Sequence, residues 1–112
     1  MIFVESPQCT RAITELMDDD GYRLLQAVLL ENPEAGAIIV GSGGLRKVRW
    51  ALPGRGKRGG ARVIYFYHNA DLPLFLLTAF AKNVREDISQ AARNDFRRLT
   101  GLLVENYGRR NV

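Results

Sequence analysis

Between Glu34 and Asp71 the chain carries no acidic residue, and the middle of that span is dense with cations. Residues 41–67 read GSGGLRKVRWALPGRGKRGGARVIYFY and hold Arg46, Lys47, Arg49, Arg55, Lys57, Arg58 and Arg62, seven of the sixteen Lys and Arg in the chain. A hydrophobic core does not accept charges without partners. The apolar runs that flank the block must therefore bury one face and leave the cations to water or to a bound anion. A Gly-rich basic segment between two strand-like runs satisfies that constraint.

The net charge of +4 hides a strong asymmetry. Residues 1–34 carry two basic and seven acidic groups, residues 35–70 seven basic and none acidic, and residues 71–112 seven basic and five acidic. A positive middle beside an acidic start is a directed field that favours a polyanion, read here as RNA. A merely soluble basic surface is the simpler alternative, but it would scatter its charges. At 112 residues the sequence is expected to form one domain spanning 1–112. No apolar run approaches the length of a membrane span, and MIFVESPQCT lacks the features of a signal peptide. The expected location is the cytoplasm, with no membrane partner. The lone Cys9 forms no internal disulfide and is read as a small, half-buried residue.

Along the chain, Ile2-Phe3-Val4 predicts a first strand closed by Ser6-Pro7. Thr10 is expected to cap a short helix with Ile13, Leu16 and Met17 as its stripe. Asp18-Asp19-Asp20 could suggest a metal site, but carboxylates ahead of a helix also favour its positive end, the reading preferred here. The second helix is expected from about Asp19 to Glu31, with Tyr22, Leu25, Val28 and Leu29 recurring at helical spacing. Residues 34–44 read as a loop with Ile38-Ile39-Val40 as an apolar clip. Its Gly-Ser-Gly-Gly leads into a strand and lacks the Lys-Ser/Thr of a nucleotide-binding loop.

Leu45 to Leu52 predicts a strand with Val48, Trp50 and Leu52 on one face and Lys47 and Arg49 on the other. Arg46 shares the apolar parity at the strand start, where it is expected to reach solvent. Pro53 to Gly60 reads as a long basic tip and 62–67 as the returning strand. Leu74 to Ala81 is apolar on both faces and should be central and covered. Asn83 and Glu86 fit a cap for a last helix carrying Ile88, Ala92, Phe96, Leu99 and Leu103 on one stripe and ending near Tyr107-Gly108. Arg93, Arg97 and Arg98 read as a solvated helix face. The order β-α-α-β-β-β-α predicts an α+β fold, a small antiparallel sheet with two N-terminal helices and one C-terminal helix.

If the strands neighbour one another, Lys47, Arg49, Arg62 and Lys82 share one concave face. Lys82 is expected just ahead of a helix N-terminus, which favours phosphate. The set contains no carboxylate pair and no metal-ligand spacing, so no metal or cofactor is expected. Such a face can hold an RNA backbone and stabilise the added charge of a pentacovalent phosphate, because RNA supplies its own 2′-hydroxyl nucleophile. Arg46, Arg55, Lys57 and Arg58 are then candidates for gripping RNA through phosphates. Tyr65, Tyr67 and Trp50 read as packing residues.

GGLRKVRW, GKRGGARVIYFY and LLTAFAKNVREDIS together resemble the RelE/HigB superfamily of bacterial toxins, nearest its HigB-like branch. The resemblance runs from Phe3 to the last helix. It implies a RelE-like fold and a ribosome-dependent, metal-independent mRNA endonuclease that inhibits translation. It also implies a neutralising antitoxin, a HigA-like helix-turn-helix protein through which alone operator DNA would be met. Carried across, the family's basic pair falls on Lys47 and Arg49, its later arginine on Arg62 and its basic residue after the fourth strand on Lys82. Two positions depart: Asn83 stands where RelE has a further Arg, and Ser89 where it has a catalytic Tyr. The general base and acid therefore do not transfer, and Lys47, Lys82 or Lys57 are candidates. His68 is the alternative, with a surface or structural role preferred. A ParE-like gyrase poison of the same fold and a non-catalytic nucleic-acid binder are the competing readings.

Overall fold

The computed structural model describes residues 2–52, 56–84 and 87–110, with backbone only for 56–59 and 108–110. Its elements are β1 (Phe3–Glu5), α1 (Pro7–Leu16), α2 (Asp19–Glu31), β2 (Ala37–Ile38), β3 (Leu45–Leu52), β4 (Gly56–Phe66), β5 (Leu74–Ala81) and α3 (Gln90–Arg110). The α+β class predicted from the element order is the one that forms. The five strands make one sheet in the order β1-β5-β4-β3-β2.

The apolar run that forms β5 is buried at every one of its eight positions. A strand buried on both faces needs cover on both. One cover is α1 and α2: Cys9, Ile13, Leu25 and Leu29 pack with Val48, Val63, Tyr65, Leu74, Leu76 and Ala79. The other is α3: Ala92, Phe96, Leu103, Val104 and Tyr107 close over Leu45, Ile64, Phe66, Phe75, Leu77 and Phe80. A register shift makes this division possible. Tyr65 pairs with Leu76 but Ile64 with Thr78, so Leu77 is an extra residue that reverses the alternation.

The sheet is mixed rather than wholly antiparallel, because β1 pairs parallel with β5 through Val4 and Phe75. Ser6 fixes that junction. Its N–H donates to Leu76 O at 3.0 Å and its hydroxyl to Leu77 O at 2.7 Å. Ser6, not Thr10, caps α1, accepting from the Cys9 N–H at 3.0 Å, with Pro7 opening the helix. Thr10 is taken by Glu5 and Ser6 O. In α2 the range is the one expected, and Asp18 caps it, accepting from Gly21 N–H at 2.8 Å. Its buried stripe is Leu25 and Leu29, while Val28 faces out.

Three further expectations change. The segment 34–44 contains the two-residue strand β2, paired with Arg46 and Lys47, and only Ile39 of the apolar clip is buried. The basic tip is shorter than expected, because β4 starts at Gly56, opposite Leu52. Strand backbone thus extends through glycines that read as loop. Finally, α3 begins at Gln90 and Ser89 is its cap, accepting from Ala92 N–H at 3.1 Å. Asn83 sits in a turn seven residues earlier, and Glu86 lies outside the described residues.

Gly60 ties three strands together. Its carbonyl accepts from Lys82 N–H at 3.0 Å, and a Cβ at this position would run into the Trp50 carbonyl. Glycine is therefore required for β3 and β4 to approach. Gly60→Ala should lower the unfolding free energy by about 1–3 kcal/mol. Urea denaturation reads this directly, and an unchanged midpoint would show that the strands can part at no cost.

Candidate active site

Strand alternation sorts the cations of β3 and β4. Leu45, Lys47 and Arg49 share the α3 side of the sheet, and Val48 and Trp50 the side of α1 and α2. On β4, Arg62, Ile64 and Phe66 share the α3 side. Register then brings particular cations together: Arg49 is the direct partner of Arg62, and Lys47 the partner of Ile64. Side chains opposed in this way have Cβ atoms about 4.5–5.5 Å apart, where like charges repel.

Arg62 is the most unusual of these groups. It is only 3% exposed, between Arg49 on one side and Phe80 on the other. Its Nη1 donates to Ala61 O at 3.2 Å. Among the described residues no carboxylate pairs with it or with Arg49. Burying an apolar side chain contributes about 1.5–3 kcal/mol. Burying a guanidinium instead costs stability unless an anion meets it. Arg62 is thus poorly explained as a stabilising residue.

Lys82 stands one step beyond β5, half-buried, with its backbone fixed to Gly60. Continuing the alternation from Phe80 puts it in parity with Arg62. It does not stand ahead of a helix N-terminus as predicted, since α3 starts eight residues later. Any phosphate affinity at Lys82 comes from its ammonium and the neighbouring cations rather than from a helix dipole.

Two site residues were not found from sequence. The Lys47 ammonium lies 3.1 Å from Asp87 Oδ2, and Arg93 Nη2 lies 4.0 Å from the same oxygen. Arg93 also donates to Val40 O at 3.4 Å. It is therefore turned onto the sheet rather than solvated. The signal was Ser89: once Ser89 is the cap, Arg93 falls one turn before Phe96 on the inward face. Burial opposes ionisation of Asp87, but the Ile88 N–H, Lys47 and Arg93 outweigh it and hold its pKa below the usual carboxylate range.

The remaining expected residues are placed as follows. Arg46 is on the opposite face from Lys47, with Nη1 donating to Gly36 O at 2.8 Å and Glu34 O at 3.3 Å. It pins the segment ahead of β2. Arg55 lies outside the described residues, as do the side chains of Lys57 and Arg58. His68 is exposed and stacks on Phe66, six residues from Arg62, roughly 20 Å of extended chain. Tyr65 is fully buried; its hydroxyl donates to Pro33 O at 2.7 Å and accepts from Gly36 N–H at 2.8 Å. Ser89 is spent as a cap. Cys9 is fully buried, and burial, aided by Glu5, pushes its thiol up to about 12, so it is no nucleophile.

These features define an α+β fold with a cluster of cations on one face of its sheet. Residues 14–109 match the family model described as the RelE toxin of the RelE / RelB toxin–antitoxin system. The chain belongs to the RelE toxin family. It is accordingly the toxin side of a toxin–antitoxin pair, and a cognate antitoxin is its implied partner. Among the described residues no helix is long and apolar enough to cross a membrane.

The Asp87 contacts carry a pH signature. A carboxylate with a depressed folded pKa adds stability above its unfolded value, 3.8, and that stability is lost as pH falls through the lower folded value. Asp87→Asn should therefore be less stable than wild type at neutral pH by a small margin, since the pair is half-exposed. The difference should vanish in acid. Denaturation midpoints of both proteins across the range below pH about 4 test this.

Proposed function

We propose that the protein is a ribosome-dependent mRNA endonuclease, an mRNA interferase that arrests translation in the cytoplasm. The observation that carries the reading is the cross-strand pair Arg49–Arg62, one member buried, on the same sheet face as Lys47. Membership of the RelE family supports it, and the GGLRK and KRGG segments favour a HigB-like relative with a HigA-like antitoxin.

In the proposed reaction the RNA 2′-oxygen attacks the adjacent phosphorus while a base removes its proton. The bond from phosphorus to the 5′-oxygen breaks, an acid protonates that oxygen, and a 2′,3′-cyclic phosphate and a 5′-hydroxyl result. Two negative charges gather on the phosphoryl oxygens of the transition state. Arg49 and Arg62 are preorganised to meet them, with Lys82 at the side. Such preorganised charge acts more strongly on the transition state than on the ground state. Lys82 is the candidate for proton transfer, since Lys47 is held by Asp87, and His68 lies beyond the far end of β4. Arg55, Lys57 and Arg58 would hold ribosomal or messenger RNA through phosphates, while Arg46 is engaged with the Gly36 and Glu34 carbonyls on the other face. The proposed chemistry draws only on these side chains and on the RNA's own 2′-hydroxyl.

Removing one preorganised donor of this kind typically costs about 10²–10³ in rate. Arg62→Ala and Lys82→Ala should therefore fold, keep antitoxin binding and lose growth arrest. Induction of wild type and Arg62→Ala, with mRNA 5′ ends mapped across the transcriptome, gives the decisive comparison. New 5′ ends inside translated frames, absent in the variant, are expected. Growth arrest without new 5′ ends would instead support gyrase poisoning, and folded variants that remain toxic would remove these residues from the mechanism.

A further inference from the structure

Lys47 already has an anionic partner. Asp87 Oδ2 sits 3.1 Å from its ammonium and 4.0 Å from Arg93 Nη2. The other carboxylate oxygen is held by the Ile88 N–H at 2.9 Å, and Ile88 itself is buried in the α3 side of the core. Asp87 is therefore anchored rather than incidental. Arg93 is held in place from the far side by Val40 O. Its Nε is buried without a hydrogen-bond partner, so the guanidinium is not fully satisfied by what surrounds it. One anion is thus shared between two cations from different elements, β3 and α3, at a position still partly open to water.

We infer that Lys47 and Arg93 form a second phosphate subsite, filled in the free protein by the Asp87 carboxylate and taken over by an RNA phosphodiester flanking the scissile one. The inference rests on the RNA-cleaving reading proposed above. Lys47 and Arg49 are two residues apart on one strand face, about 7 Å. That is comparable to the separation of neighbouring phosphates along an extended single strand. A phosphate over Arg49 and Arg62 therefore brings its neighbour to Lys47 and Arg93. There it meets a carboxylate that must yield or be repelled. The arrangement lowers affinity for RNA in general and favours only a strand held in place by other contacts, as a ribosome would hold it.

Binding of a short single-stranded RNA, deoxy-substituted at the 2′ positions so that it is not cut, measures the subsite. Fluorescence anisotropy over a salt series should show Asp87→Asn binding about three- to tenfold more tightly than wild type at low salt. The slope of log affinity against log salt should steepen by about 0.7 for each cation released to meet a phosphate. The gain should disappear in Asp87→Asn/Arg93→Ala and return in part with Arg93→Lys. Asp95→Asn makes the same change in net charge on the exposed Asp95–Arg98 pair and should leave binding almost unaltered. Equal affinity and slope for Asp87→Asn and wild type would overturn the inference, as would a gain that survives loss of Arg93 or is matched by Asp95→Asn. The 5′-end map separates the two claims. New 5′ ends with no gain from Asp87→Asn defeat the subsite alone, and a gain without new 5′ ends defeats the cleavage reading alone.

Discussion

The double-sided burial of β5 is the constraint on which the rest of the molecule depends. Eight successive buried positions, none of them charged, need a helical layer on each side and a partner strand on each edge. β1 supplies the parallel edge, β4 the antiparallel one, α1 and α2 cover one face and α3 the other. The bulge at Leu77 lets one strand feed both layers with large side chains. Because β5 fixes β4, and β4 fixes β3, the cations of β3 and β4 inherit their positions from an apolar strand that carries no charge of its own.

That inheritance explains how a costly group is held in place. Arg62 would be destabilising in most strands, since a buried guanidinium beside a second arginine has little to offset its desolvation. Here it is clamped by register against Arg49 and Phe80, and Gly60 leaves no slack between β3 and β4. The fold supports a local cost that the apolar layers offset elsewhere, a pattern expected at functional sites. Asp87 adds the opposite element: a carboxylate from beyond β5 that balances Lys47 and Arg93.

Much of the site was legible in the sequence because strand alternation is strictly local. Lys47 and Arg49 on one face of a strand whose other face is Val48 and Leu52 follows from parity, and β3 has the predicted bounds. The range of α2 followed equally from the acidic run ahead of it and from the helical spacing of Tyr22, Leu25 and Leu29. The tip was misjudged because glycines that read as loop are extended here by pairing with β3, a long-range bond that overrides weak local preference. The start of α3 was misjudged because two caps were available. Asn83 with Glu86 competed with Ser89, and packing of Ala92 and Phe96 on the sheet decides for Ser89. Moving that cap is what removes Lys82 from a helix end and brings Arg93 inward.

The sequence by itself determined the acid-free basic block, the family to which the chain belongs and the face on which Lys47, Arg49 and Arg62 lie. These follow from composition and from periods of 2 and 3.6 residues, which neighbouring residues set without reference to distant ones. Only the tertiary structure decided that Arg49 opposes Arg62, that β1 joins β5 in parallel, that Leu77 bulges, and that Asp87 and Arg93 close around Lys47. Register and pairing depend on hydrogen bonds and core packing between segments tens of residues apart. No local period encodes which partner those segments will meet.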